Sequence, residues 1–120
     1  MRILDSDGGA SIVALGGELD LSTIPRMEGP LLEQLRQRPA VLVDLSTLTF
    51  IDSSGIGILI QAFRTANGTP MGILIGRGSQ VERVFGIVGL GEALPVFFDR
   101  ERALAELVEA RNGRPGDGGG

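Results

Sequence analysis

The chain has 120 residues, a net charge of −4 at pH 7, 42% hydrophobic and 22% charged residues, which is the composition of one folded globular domain rather than a disordered segment. It has no His, Cys, Trp or Tyr, and all 11 of its basic residues are Arg. These absences exclude an imidazole base, a Ser-His-Asp triad, the common zinc sites, a P-loop lysine and a Schiff base.

Carboxylates, hydroxyls, Arg and backbone amides remain, enough in principle for a magnesium ion or two-carboxylate glycoside chemistry. With so little catalytic chemistry available, the chain is expected not to be an enzyme, and no catalytic residue, metal or cofactor is assigned. The acidic balance repels a phosphate backbone, so no nucleic-acid partner is expected. MRILDSDGG has no continuous apolar stretch of the signal-peptide kind. The longest apolar-looking run, Ile56 to Ile60 with Ala62 and Phe63 beyond, is broken by Gly57 and Gln61 and is too short for a membrane span. A cytoplasmic protein with no membrane partner is expected.

In chain order, Arg2 to Asp5 reads as a first strand, Asp7-Gly8-Gly9 as a turn, and Ser11 to about Leu19 as a second strand completing a hairpin. Ser22 and Thr23 are N-cap candidates for a helix with Pro25 in its first turn and Met27, Leu31 and Leu35 on its inner face. Gly29-Pro30 either kinks that helix or delays its regular part. Ala40 to Leu45 has the continuous apolar pattern of a strand buried on both faces and is expected to be central. Leu48 to Ile51 leads into Asp52-Ser53-Ser54-Gly55. Ile56, Leu59, Ile60 and Phe63 then recur at helical spacing up to Asn67-Gly68. Met71 to Ile75 is another strand, and Ser79 caps a helix with Val81, Val84, Phe85 and Val88 inward, stopped by Gly89 or Gly91. Pro95 to Phe98 reads as a short edge strand, and Asp99 caps a last helix with Leu104, Leu107 and Val108 inward. Strands alternating with helices imply an α/β (α+β) layered domain over residues 1–111 with a sheet of four to five strands. Residues 112–120, NGRPGDGGG, contain no apolar residue and read as a disordered tail.

The stretch from Leu45 to Ile60, LSTLTFIDSSGIGILI, is the most informative. A buried strand hands over to an apolar-faced helix through two adjacent serines. Unpartnered amides and the positive end of the helix dipole favour an anion there, so a phosphate is tolerated. Gly55 and Gly57 carry no Cβ and leave the serine hydroxyls accessible. Read by themselves, Asp52, Ser53 and Ser54 are equally good helix caps. Taken whole, FIDSSGIGIL resembles the phosphorylation-site motif of STAS domains, in particular of bacterial anti-sigma factor antagonists. Gly17-Glu18-Leu19-Asp20 before the first helix and VERVFGIVGL at Val81 to Leu90 are similar to the same family in the same order.

That resemblance implies a mixed sheet with about four helices packed mainly on one face, and a switch operated by other proteins. The unphosphorylated form would bind an anti-sigma factor that is also a serine kinase and release the sigma factor. Phosphorylation of Ser53 would end binding, and a PP2C-like serine phosphatase would restore it. By the same resemblance, Asp20, Asp52, Ser53, Ser54, Gly55 and Gly57 form the partner-binding face, with Ser54 as cap or neighbour and Asp52 placed to orient the Ser53 hydroxyl. A non-switching STAS subunit of a transporter or signalling scaffold is the alternative, with the serines as caps only.

Overall fold

The computed structural model describes residues 1–5 and 9–112. Its strands are β1 (Arg2–Asp5), β2 (Ala10–Ala14), β3 (Gly17–Leu19), β4 (Ala40–Asp44), β5 (Leu48–Ile51), β6 (Met71–Leu74) and β7 (Val96–Phe97). Its helices are α1 (Ile24–Gln37), α2 (Ser53–Ala66), α3 (Gln80–Val88) and α4 (Arg100–Arg111). Five strands form a mixed sheet in the order β1-β2-β4-β6-β7. β1 runs antiparallel to β2 as a hairpin, and the other pairings are parallel. Every residue of β4 is buried, as expected of a central strand with both faces covered.

Alternation along the strands divides the core. Val13, Val41, Val43 and Ile73 pack with α1, α2 and α3 on one face. Ile12, Leu42 and Leu74 pack with Ala103 and Leu107 of α4 on the other. Three helices thus share one face, while α4 alone covers the opposite one. Met27, Leu31 and Leu35 are buried along α1, which runs unbroken through Gly29-Pro30 from Ile24. Regular helix is therefore not delayed to Pro30.

The expected second strand, Ser11 to Leu19, is instead two strands in two sheets. Gly17, in the left-handed region at φ 76°, turns the chain out of β2 and into β3, a conformation that disfavours a side chain. β3 then pairs in parallel with β5 as a separate two-stranded ribbon. Because β2 and β4 are parallel neighbours and lead directly into β3 and β5, the ribbon lies beyond the carboxyl ends of the main strands. Asp44 shapes this exit. Its Oδ1 accepts from the Ser46 amide at 2.8 Å and its Oδ2 from Arg100 at 2.8 Å. Burial alone would raise the Asp44 carboxyl pKa, but the Ser46 hydrogen bonds and the Arg100 guanidinium hold it below its ordinary value.

Two residues expected on inner helix faces lie at the surface, while Val81 and Phe85 of α3 are buried and Val84 packs against the core as expected. Phe63 lies at the surface, although Ile56 and Leu59 are buried as expected and Ile60 packs against the core; the buried face of α2 extends through Gly55, Ile58, Ala62 and Ala66. Val88 is exposed in the last residue of α3, which Gly89 closes in the left-handed conformation at φ 68°. Asn112, expected in the tail, is the C-cap of α4. The remaining tail residues, 113–120, and Asp7-Gly8 of the expected turn lie outside the described residues.

Candidate functional site

The ribbon ends at two parallel junctions. Leu19 and Ile51 are paired in register, each is followed by an aspartate, and each aspartate is followed by a helix. Asp20 Oδ1 accepts from the amides of Ser22 at 3.0 Å and Thr23 at 3.2 Å. Asp52 Oδ1 accepts from the amides of Ser54 at 2.9 Å and Gly55 at 3.1 Å. The Asp52 carboxylate thereby caps α2, whereas the Asp20 bonds close the turn that leads into α1, whose own N-cap, Thr23, makes no side-chain capping bond. Two helix N-termini thus stand side by side at the carboxyl end of the sheet, where open α/β sheets place their binding sites.

Ser53 is the first residue of α2 and is exposed, while Ser54 is half-buried. Among the described residues no hydrogen bond engages the Ser53 hydroxyl. The cap of α2 is Asp52, not either serine, and its bonds run to the Ser54 and Gly55 amides rather than to the Ser53 hydroxyl. It therefore does not orient that hydroxyl. Asp20 also accepts from the Ser22 hydroxyl at 2.7 Å. That bond, with the Ser22 and Thr23 amides, outweighs desolvation and holds the Asp20 carboxyl below its ordinary pKa.

The two glycines differ. Gly57 is exposed, and a Cβ there would meet nothing within 4 Å. Gly55 is buried, and a Cβ would lie 2.6 Å from the Leu19 carbonyl oxygen and 2.7 Å from Ile51 Cγ1. Its part is to let α2 sit directly against the ribbon, so it does not itself face outward. Asp20, Asp52, Ser53, Ser54, Gly55 and Gly57 are all gathered at or beside the junctions.

Sequence reasoning missed Gln80. Its Oε1 accepts from the Ile51 amide at 3.0 Å and its Nε2 donates to the Ile51 carbonyl at 3.1 Å. The side-chain amide at the start of α3 thereby takes the place of a neighbouring strand along the outer edge of β5. No local periodicity marks such a contact, which joins residues 29 apart in the chain. Elsewhere, no group of three or more His, Cys, Asp or Glu among the described residues is disposed to hold a metal ion. No helix among them is long and apolar enough to cross a membrane.

The STAS domain family model matches residues 2–103. An anti-sigma F factor antagonist of Paenibacillus polymyxa is 33% identical over 103 residues, covering 82% of this chain and 87% of that protein. An anti-sigma-B factor antagonist of Staphylococcus epidermidis is 31% identical over 87 residues, covering 70% and 80%. Among solved structures, an anti-sigma factor antagonist from Mycobacterium paratuberculosis superposes with a TM-score of 0.80 at 27% identity, covering 88% of this chain and 91% of that one.

Proposed function

The chain belongs to the STAS domain family, and from that premise we propose that it is an anti-sigma factor antagonist switched by phosphorylation of Ser53. The unphosphorylated form binds an anti-sigma factor that is also a serine kinase and so releases a sigma factor. Transfer of a phosphate from ATP to Ser53 ends that binding, and a PP2C-like serine phosphatase reverses it. The protein is then a regulatory substrate of other enzymes in the cytoplasm, with no catalytic residue of its own. The observation that carries this reading is an exposed serine, with no hydrogen bond to its hydroxyl among the described residues, on the first turn of a helix whose cap is already supplied by its neighbour.

The division of labour between Asp52 and Ser53 is what suits the site to a switch. Because the aspartate caps α2, the serine is free to change its charge without unmaking the helix. A phosphoserine adds about −1.5 to −2 charges and three acceptor oxygens. At a helix N-terminus the dipole offsets part of its repulsion from Asp52, so the fold persists. A partner packed over Ser53 would instead have to desolvate that dianion beside Asp52 and the Asp20 junction, at an expense of several kcal/mol. Asp20, Ser54 and Gly57 belong to the contacted face, and Gly55 supports it from below.

Titration against the purified anti-sigma factor tests this. Ser53→Ala is expected to bind within about threefold of the unphosphorylated protein, and Ser53→Asp at least about tenfold more weakly. Equal affinity of the two variants would overturn the switch. A non-switching scaffold role, in which the serines do no more than occupy a helix start, predicts that equality.

A further inference from the structure

We infer that Gln80 is a positioning residue for the Ser53 acceptor, an inference that rests on the phosphoswitch reading above and deepens it. Ile51 is 1% exposed, so its amide and carbonyl need partners inside the protein. The following amide, that of Asp52, points to the Leu19 carbonyl across the ribbon at 3.4 Å. Along this edge of the strand, then, the groups of Ile51 face the opposite way, toward Gln80, which meets both of them.

The end of β5 is therefore gripped from two sides, by β3 through Asp52 N and by α3 through Gln80. Ser53 follows two residues after Ile51. It is on the first turn of a helix whose seat is set by Gly55 against Leu19 and Ile51. Phosphoryl transfer from a bound nucleotide depends on where the acceptor oxygen stands, and a displacement of about 1 Å can slow such a step by about 100-fold. Gln80 touches neither the acceptor nor the incoming phosphate, so its effect acts through the backbone of Ile51 and Asp52. No other side chain is hydrogen-bonded to Ile51 among the described residues.

The test compares Gln80→Met, which keeps length but neither hydrogen bond, with Val84→Ala, which thins the packing of α3 against the core and leaves Gln80 in place. Each protein is phosphorylated by the anti-sigma factor kinase with ATP, Tm is measured beside kcat and KM, and hydrogen exchange is read at the Ile51 amide. Gln80→Met is expected to speed Ile51 exchange and to lower kcat by about 10- to 100-fold with KM within about threefold of wild type. Val84→Ala is expected to lower Tm at unchanged kcat. Should Gln80→Met be too unstable to assay, Gln80→Glu, which keeps an acceptor for the Ile51 amide but no donor for its carbonyl, is expected to lower kcat in the same direction. Wild-type kcat in the Gln80 variant, or an equal fall in Val84→Ala, overturns the inference. A wild-type protein that takes up no phosphate at all is a different result, visible before any variant is made, and it removes the phosphoswitch reading and with it the acceptor that Gln80 would position.

Discussion

β3 and β5 run in parallel and each is followed by an aspartate whose Oδ1 accepts from the amides two and three residues on, yet only Asp52 caps a helix, and the next residue is Leu21 in one junction and Ser53 in the other. In the first, the Ser22 hydroxyl is tied to the Asp20 carboxylate, and the third residue is a threonine whose own hydroxyl accepts from the Asp20 amide at 3.0 Å. This junction is knotted to itself. In the second, the hydroxyl after the aspartate faces outward, and the third residue is Gly55, pressed against Leu19 and Ile51. The comparison separates the shared task, starting a helix beside a strand end, from the part peculiar to α2. Aspartate-to-amide bonding is met at both, so it does not explain why only the second junction presents an exposed serine with an unengaged hydroxyl on a tightly seated helix.

The sharpest way to break the second junction is to give Gly55 a side chain. Gly55→Ala brings a Cβ against the Leu19 carbonyl, which is backbone and cannot swing aside, and is expected to destabilise the fold by about 2–3 kcal/mol in a urea melt. Gly57→Ala, two residues on with open space around it, is expected to stabilise by about 0.5–1 kcal/mol. Equal effects would show that α2 is not seated on the ribbon.

Asp52→Ala sharpens the comparison, since it is expected to lose about 1 kcal/mol of helix capping in a urea melt, whereas Asp20→Ala removes only bonds to a turn ahead of α1 and is expected to lose less. Asp20 adds a pH signature. Its folded pKa is depressed, chiefly by the Ser22 hydroxyl, so its contribution is present above the unfolded value and is lost as pH falls through the folded one. Stability of the wild type should therefore decline below about pH 4, and the acid limb should be shallower in Asp20→Asn when both are followed by thermal melts. An identical limb in the variant would contradict this assignment.

The main elements are legible in the chain because period and punctuation agree there. Ala40 to Leu45 announces a central strand, Ser79 and Asp99 announce the caps of α3 and α4, which their side chains supply, and Asn67 and Gly89 mark helix ends in left-handed conformation. What could not be read is where neighbouring chain segments decide. The break at Leu15-Gly16 depends on β3 finding β5, a pairing with no trace in local alternation. Phe63 and Val88 fit the inner stripe by spacing, but the stripe that is buried is fixed by what each helix lies on. At the site, the residues DSSG mark a strand-to-helix handover, yet any of the three polar ones serves as a cap by type. Only the geometry assigns that task to Asp52 and leaves Ser53 unengaged. Gln80 is silent in the sequence because its role is defined by the backbone of Ile51.

The most direct measurement is intact-mass and fragment mass spectrometry of the protein after incubation with the proposed anti-sigma factor kinase and ATP. A single added phosphate located on Ser53, and absent from Ser53→Ala, is the expected result. Uptake on Ser22 or Ser54 instead, or none by a protein that still binds the kinase, would contradict the assignment of Ser53 as the switch.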